Sequence, residues 1–176
     1  MATTSHLQRD LLNGTKINMS INSKLDNIDR KILEILQLNG KITNSQLALE
    51  IGLSPAPTLE RVRKLENLGI LQSYHALLDK KLIGLGVTIF IQVSLSSHKK
   101  HQIKSFVDKM NAISQVIECH HITGTADFIL KVVASDITSY QSFLLDKLLD
   151  VEEIGNMQSM IVLSTYKDSK TLPILD

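Results

Sequence analysis

Three closely spaced basic side chains offer the clearest chemistry in this sequence. Arg61, Arg63 and Lys64 lie in a predicted helix that spans Ser54–Asn67. A helix of about 14 residues is roughly 21 Å long, and the DNA major groove, about 12 Å wide, admits such a helix. Guanidinium and ammonium groups bind phosphate oxygens, so these residues predict contacts with a nucleic-acid backbone. The alternative is a solvated helix face, or ion pairs with neighbouring glutamates.

The first turn of the same helix would face the base edges of the groove. Prolines are tolerated there because the first N–H groups of a helix have no partner within it. The side chains of this turn are small or apolar and can make few bidentate hydrogen bonds, so DNA shape would supply much of the specificity. The DNA-contact candidates, with Ser54 also as the helix cap, are Ser54, Ala56, Pro57, Thr58, Glu60, Arg61, Arg63 and Lys64.

The residues before this helix predict a second helix and a tight turn, hence a helix-turn-helix. Thr43 and Gln46 have the spacing of a capping box. Gly52 stands where the chain must turn and can take a positive φ. A further helix, from Asp26 to about Leu38, completes a three-helix unit. The core-facing stripe of the DNA-reading helix is predicted to be Leu59, Val62 and Leu65.

The hydrophobic period changes at Gly86, which indicates a second domain. The predicted order is βαββαβ, the ferredoxin-like arrangement of a four-stranded antiparallel sheet with both helices on one face. Apolar residues point to both sides of these strands, so a second copy of the chain is expected to cover the free face. The predicted elements are a strand at 87–95, a helix at 98–111, strands at 115–123 and 127–134, a helix at 136–149 and a strand at 157–165.

The fold class is therefore α+β, with a winged-helix-like helix-turn-helix followed by a ferredoxin-like domain. The predicted segments are a loose N-terminal arm at 1–24, the helix-turn-helix at 25–69, an extended linker or hairpin at 70–84, and an oligomerisation and effector domain at 85–176.

Composition and charge restrict the class of protein further. Of the 176 residues 43% are hydrophobic and 4% aromatic, which predicts aliphatic cores. The net charge is only +1, but residues 1–84 carry 11 Lys and Arg against 8 Asp and Glu, whereas residues 85–176 carry 8 against 10. The basic excess therefore lies in the half with the helix pair. The single Cys119 suits a reducing cytoplasm, and Ile83–Leu95, the most apolar stretch, is too short to span a bilayer.

The order of a helix-turn-helix, an extended linker and a βαββαβ domain resembles the leucine-responsive/asparagine-type (Lrp/AsnC) transcription regulators of bacteria and archaea. The resemblance covers roughly Leu25–Thr165. Its pattern is carried by Thr43, Leu47-Ala48, Gly52-Leu53-Ser54, Arg61-Val62 and Gly69, and by a Gly-x-x-Asp loop at Gly124–Asp127.

The resemblance implies a dimer that assembles further, often to an octamer, and a small effector, usually an amino acid, bound between dimers. Two departures concern that site: Ala126 replaces a frequent aromatic, and Glu152-Glu153 stand where Pro-Gly is usual. At the start of the last strand, which is usually rich in Thr and Ser, only Ser159 of Met157-Gln158-Ser159 keeps a hydroxyl, so the pocket would be roomier and more apolar than usual. The effector-site residues that the resemblance implies are Thr123, Gly124, Thr125, Ala126, Asp127, Met157 and Ser159.

Two rival functions have less support in the sequence. A metal site could draw on the Cys119/His121 pair or on His98 and His101, but no spacing specifies a complete ligand set. An enzyme would have Asp127 as its one promising acid, and no nucleophile–base pair or phosphate-binding Gly-rich loop is present. We therefore expect neither metal, cofactor nor catalysis.

The sequence predicts a cytoplasmic, sequence-specific DNA-binding transcription regulator of amino-acid-related metabolism. Its partners would be double-stranded DNA, further copies of itself and an amino-acid effector, with no membrane. The alternative is a metal- or metabolite-binding sensor or an interaction protein without an amino-acid effector.

Overall fold

The computed structural model describes residues 25–174, so the predicted arm at 1–24 lies outside the described part of the chain. The described residues form two compact units. The helical unit comprises the residues up to Ala76 together with the C-terminal segment from Asp168, and the sheet unit comprises Leu77–Lys167. The expected C-terminal domain at 85–176 thus included a segment that packs elsewhere, because Ile174 packs against the core of the helical unit.

The helical unit contains three helices: α1 at Asn27–Leu38, α2 at Asn44–Ile51 and α3 at Pro55–Asn67. Asp26 caps α1 by accepting the Asp29 N–H at 2.8 Å. The predicted capping box is present at the start of α2, with both hydrogen bonds between Thr43 and Gln46. After α3, residues 72–79 form neither helix nor strand, so the hairpin alternative for the predicted linker is wrong.

The core-facing side of α3 differs from the prediction by one position. Leu65 is fully buried and Val62 packs against the core, but Leu59 is 39% exposed. Thr58 is fully buried instead. Positions 58, 62 and 65 follow the i, i+4, i+7 rule of a helical face, which leaves Leu59 on its rim. The buried apolar residues of the unit are Ile32, Leu33, Leu36, Leu47, Ala48, Ile51 and Leu65.

The sheet unit has the predicted βαββαβ order, and the α+β fold class is confirmed. Its four strands are antiparallel and lie in the order β2-β3-β1-β4. The elements are β1 at Val87–Leu95, α4 at Lys100–Ala112, β2 at Val116–His121, β3 at Phe128–Ala134, α5 at Ile137–Phe143 with a π-helical turn at Leu144–Leu148, and β4 at Ile154–Ile161.

Two elements of the sheet unit differ from the prediction. The last strand begins at Ile154, three residues before the predicted Met157, because Ile154 pairs with Leu95 beyond an irregularity in β1. The second helix is not regular α-helix to its end. Leu149 donates its N–H to the Leu144 carbonyl at 3.0 Å, an i→i+5 bond that widens the last turn.

Alternate residues of the strands build the core of the sheet unit. Ile89, Ile91 and Val93 of β1 are fully buried on the side that the helices cover. By alternation, Phe90 and Ile129 lie on the opposite side, where each is only half-buried. The sheet therefore has one filled face and one face with apolar side chains that the described chain does not cover. No helix in residues 25–174 is long and apolar enough to cross a membrane.

Candidate DNA-binding and effector sites

The turn between α2 and α3 fixes the start of the predicted DNA-reading helix. Gly52 adopts a left-handed conformation with φ of 77°. The Asn44 side chain donates to the Pro55 carbonyl at 2.8 Å, which ties the two helix starts together. Ser54 is the N-cap by backbone conformation, but its side chain makes no capping bond, contrary to the prediction. Pro57 occupies the third helical position and has no N–H to donate, so one of the usual partners of a cap is missing.

The residues of α3 predicted to contact DNA divide into an exposed set and an engaged set, whose side chains are bonded to other groups of the protein. Pro57 is half-buried, and the exposed members are Ser54, Ala56, Glu60 and Arg63. Thr58 belongs to the engaged set and corrects the prediction, because it is completely buried. Its hydroxyl donates to the Ser54 carbonyl at 2.9 Å, so this side chain serves the helix start rather than the surface.

Arg61 and Lys64, also predicted to contact DNA, make ion pairs with the first helix. Asp29 of α1 is fully buried, and its carboxylate accepts from Arg61 Nη1 at 2.7 Å and from Lys64 Nζ at 2.8 Å. Arg61 Nη1 also donates to Asp26 at 2.6 Å. Hydrogen bonds to these two carboxylates raise the pKa of Arg61. The hydrogen bond from the Asp29 N–H, and to a smaller extent the one from Arg61, hold the pKa of Asp26 below its usual range.

The ion-pair partners suggested by the sequence for these cations are wrong, and Asp29 was not among them. The proposed alternatives were neighbouring glutamates, whereas the partners lie on α1. One feature of the sequence pointed to Asp29 as the partner. Asp29 stands at the i position of the stripe that continues through Ile32, Leu33 and Leu36, all of them buried. A carboxylate on the apolar face of a helix requires a positive partner, because an unpaired buried charge is costly.

A second contact that the sequence did not reveal holds the chain after α3. The Tyr74 hydroxyl donates to Glu66 of α3 at 3.1 Å. Partial burial, and then the negative charge of Glu66, raise the pKa of Tyr74 to about 12. This tyrosine therefore remains neutral and continues to donate throughout the physiological pH range.

The Gly-x-x-Asp loop connects β2 to β3, as predicted. Thr123, Gly124 and Thr125 are exposed, and Gly124 has a positive φ of 131°. Ala126 is buried, with 8% of its surface exposed. The backbone of Asp127 joins the sheet, since its N–H donates to the Val93 carbonyl at 2.9 Å. The loop thus presents three small exposed residues beside a carboxylate fixed by the sheet.

The Asp127 carboxylate has a partner on each oxygen. One oxygen accepts the Leu95 N–H at 2.8 Å, and the other lies 2.8 Å from Nε2 of the exposed His98. The Leu95 N–H, and to a smaller extent His98, lower the pKa of Asp127. The group is therefore a fixed anion at neutral pH. A fixed carboxylate at the end of a strand is suited to binding a cationic group such as an ammonium.

Met157 and Ser159, the other predicted effector residues, lie on β4, across β1 from the loop. Met157 pairs with Val93 and packs against the core of the sheet unit. The Ser159 hydroxyl makes a short hydrogen bond with the Tyr140 hydroxyl. A pocket of about 250 Å³ lies beside Met157. Its lining residues are Leu148, Leu149, Ile154, Gly155, Asn156 and Met157.

Two of the histidines considered as metal ligands, His98 and His121, have other neighbours, as does His120 between Cys119 and His121. His98 pairs with Asp127, His120 lies 3.4 Å from Glu118, and the His121 ring stacks on Phe128. Within residues 25–174 no group of three or more His, Cys, Asp or Glu side chains is arranged to hold a metal ion.

Comparison with known proteins gave concordant matches for the two parts of the chain. A family model described as the Lrp/AsnC ligand binding domain matches residues 88–172. A model described as a winged helix-turn-helix DNA-binding domain matches residues 25–72.

Several characterised regulators are similar to the chain over most of its length. The transcriptional regulator AzlB of Bacillus subtilis is 37% identical over 150 residues, which cover 85% of this chain and 96% of that protein. The leucine-responsive regulatory protein of Haemophilus influenzae is 34% identical over 157 residues, covering 89% and 95%. A transcriptional regulator from Neisseria meningitidis, solved as a complex with L-Met, superposes with a TM-score of 0.82 at 36% identity, covering 85% and 97%.

Proposed function

Since this chain belongs to the Lrp/AsnC family of DNA-binding transcriptional regulators, we propose that it controls genes of amino-acid-related metabolism and that a small amino acid sets its oligomeric state or its affinity for DNA. The related proteins are regulators, and we propose no catalytic role for this chain. With DNA as its ligand, we expect it to act in the cytoplasm.

The DNA part of the proposal places α3 in the major groove of double-stranded DNA. The observation that carries it is the row of exposed residues along α3, from Ala56 through Glu60 to Arg63, on a helix whose start is fixed by Asn44. Ala56 and the half-buried Pro57 would give apolar contacts to base edges, and Arg63 would contact a phosphate. One copy presents few such groups, so binding is expected to need several copies of α3.

A second copy of the chain is the proposed source of that repetition. The uncovered face of the sheet carries the apolar side chains Phe90 and Ile129, and Met160 lies opposite Phe90 with 37% of its surface exposed. Packing this face against its equivalent in a partner would remove these side chains from water. We propose a dimer built in this way, with further assembly to an octamer.

The effector part of the proposal concerns Thr123–Asp127, with Met157 and Ser159 as further members. The carboxylate of Asp127 is proposed to bind the ammonium group of an amino acid. The L-Met complex of the related Neisseria regulator supports an amino acid as the ligand class.

Binding of genomic DNA fragments, measured with and without each amino acid, tests this function. Fragments selected by the full chain should bind more weakly as salt rises, because the bound cations release counterions from the DNA. At least one amino acid should change the affinity or the size of the assembly, as linkage requires. The proposal is wrong if no fragment binds above random-sequence DNA. Binding that ignores all amino acids would remove only the effector part.

A further inference from the structure

The most buried charged group of the helical unit is Asp29, which no DNA-binding role explains. Its side chain has no exposed surface, and each of its oxygens accepts from a different cation of α3. Arg61 and Lys64 are three positions apart, so they leave the same face of α3 and reach the same carboxylate. The contact therefore joins the middle of α3 to the first turn of α1.

The apolar contacts of α3 are few by comparison. Of its 13 residues only Thr58 and Leu65 are buried. Hydrophobic contact is not directional, so a narrow apolar face by itself restrains the rotation of a helix about its axis only weakly. The hydrogen bonds to Asp29, at 2.7 and 2.8 Å, are directional and charge-assisted. They add an angular restraint that the apolar face does not supply.

We propose that Asp29 is a positioning residue for DNA recognition, which sets the rotation of α3 and reserves Arg61 and Lys64 for this purpose. The inference deepens the proposed function and rests on it. Among the three basic residues of α3, Arg63 alone then remains as a phosphate contact. A rotation of α3 would move Ala56 and Glu60 away from the base edges.

Because an unpaired buried carboxylate is costly, Arg61 and Lys64 are not expected to exchange Asp29 for DNA phosphates. If Arg61 and Lys64 moved to phosphates, Asp29 would remain buried without a positive partner. Breaking a buried pair in this way is strongly unfavourable, because the carboxylate loses its partners without regaining water. A single phosphate contact at a solvated surface returns less than this. Arg61 and Lys64 are therefore not expected to leave Asp29 together, and the proposal is that both stay on it in the DNA complex.

The test compares Asp29→Asn with Glu34→Gln, a neutralisation of an exposed acid on the same helix. Affinities of the full-length chain are measured for a selected genomic fragment and for a random-sequence duplex of equal length. Both measurements are made well below the melting temperature of each variant. For Asp29→Asn the ratio of the two affinities should fall at least about fivefold, the equivalent of one lost base contact. For Glu34→Gln the ratio should stay at the wild-type value.

The salt dependence of binding separates positioning from direct contact. Arg63→Gln should reduce the slope of log K against log salt by about 0.9 per chain bound. Arg61→Gln and Lys64→Gln should leave the slope unchanged while they lower the affinity ratio. Lys64→Gln, which leaves Arg61 on Asp29, serves as the milder variant if Asp29→Asn does not fold.

Two results would overturn the inference and leave the function intact. One is a wild-type affinity ratio in folded Asp29→Asn or, if that variant does not fold, in Lys64→Gln, which would limit the network to stability. The other is a loss of slope in Arg61→Gln or Lys64→Gln equal to that in Arg63→Gln. A wild-type chain that does not distinguish the two DNAs would overturn both the inference and the proposed function.

Discussion

The Glu153 carboxylate lies 2.7 Å from the Lys109 ammonium group and joins the start of β4 to α4. It also accepts from the Ser105 hydroxyl at 2.6 Å, and the Glu153 side chain is 9% exposed. The Glu153 carbonyl accepts the Ser96 N–H at 2.8 Å. At this position, one of the two where the chain departs from the Pro-Gly of the family pattern, the acidic residue thus connects the last strand to a helix and to the end of β1.

Replacing Glu153 by Gln should lower the free energy of unfolding by about 1–3 kcal/mol, since a buried group loses its charged partner. Chemical denaturation at pH 7 measures this. Glu152→Gln is the matched control, because that neighbouring acid is exposed, and it should change stability by less than about 0.5 kcal/mol. Equal effects of the two substitutions would show that the pair with Lys109 contributes nothing.

The contribution of Glu153 should depend on pH in a defined direction. Lys109, and then Ser105, lower the pKa of Glu153 from 4.5 to about 2. A carboxyl whose pKa is lower in the folded state stabilises the fold above its unfolded pKa and loses that effect as the pH falls towards the folded pKa. The difference between wild type and Glu153→Gln should therefore be constant above about pH 5 and shrink between about pH 4.5 and 2. A difference that grows on acidification would contradict the assignment.

The C-terminal segment should stabilise the helical unit. The Leu172 N–H donates to the Gln37 side chain at 2.6 Å, the Gln37 amide donates back to the Leu172 carbonyl at 3.2 Å, and Ile174 packs against the helical core. Ending the chain at Lys167 should therefore lower the stability of this unit by about 1–3 kcal/mol through lost burial and hydrogen bonds.

Gln37→Ala should produce a smaller loss in the same direction, whereas Glu34→Ala, on the exposed side of α1, should have little effect. Hydrogen exchange of α1 amides in the full-length chain locates the effect. Unchanged protection of α1 in the shortened chain would show that the contact carries no stability.

The cost of replacing Gly52 should depend only on how readily the new residue adopts a positive φ. Its φ is 77°, and a Cβ at this position would meet no atom within 4 Å. Ala pays the steric cost of the left-handed region, about 1–2 kcal/mol, whereas Asn visits that region more readily. Gly52→Ala should therefore lower the melting temperature more than Gly52→Asn does. The reverse order would point to a constraint other than φ at the helix turn.

The features that the sequence predicted correctly are set by neighbours along the chain. The capping box needs only Thr43 and Gln46, and the turn needs only a residue without Cβ at position 52. The alternation of β1 and the helical period of α4 are likewise local. These local patterns were sufficient to predict the order of the elements and the fold class.

The features that were missed depend on contacts between distant residues. The partners of Arg61 lie on another helix, so nothing next to it on α3 identifies them. The start of β4 is set by pairing with Leu95, more than fifty residues earlier, and not by the polarity of the strand itself. Thr58 looks like a surface residue by type, but its hydroxyl is satisfied by the carbonyl four residues before it, which permits burial.

Asp127→Asn should weaken effector binding without unfolding the sheet unit. The Asn side chain can still accept the Leu95 N–H through its carbonyl oxygen, so the strand end should persist, but it cannot offer a negative charge to an ammonium group. Asp108→Asn, on the exposed side of α4, is the matched control. Calorimetric titration with L-Met and the other amino acids should show a loss of at least about tenfold in affinity for Asp127→Asn alone.

Because the Leu95 N–H and His98 keep the pKa of Asp127 below its usual value, wild-type binding should also persist from neutral pH to about pH 5. Equal binding by wild type and Asp127→Asn would place the ammonium group of the effector elsewhere.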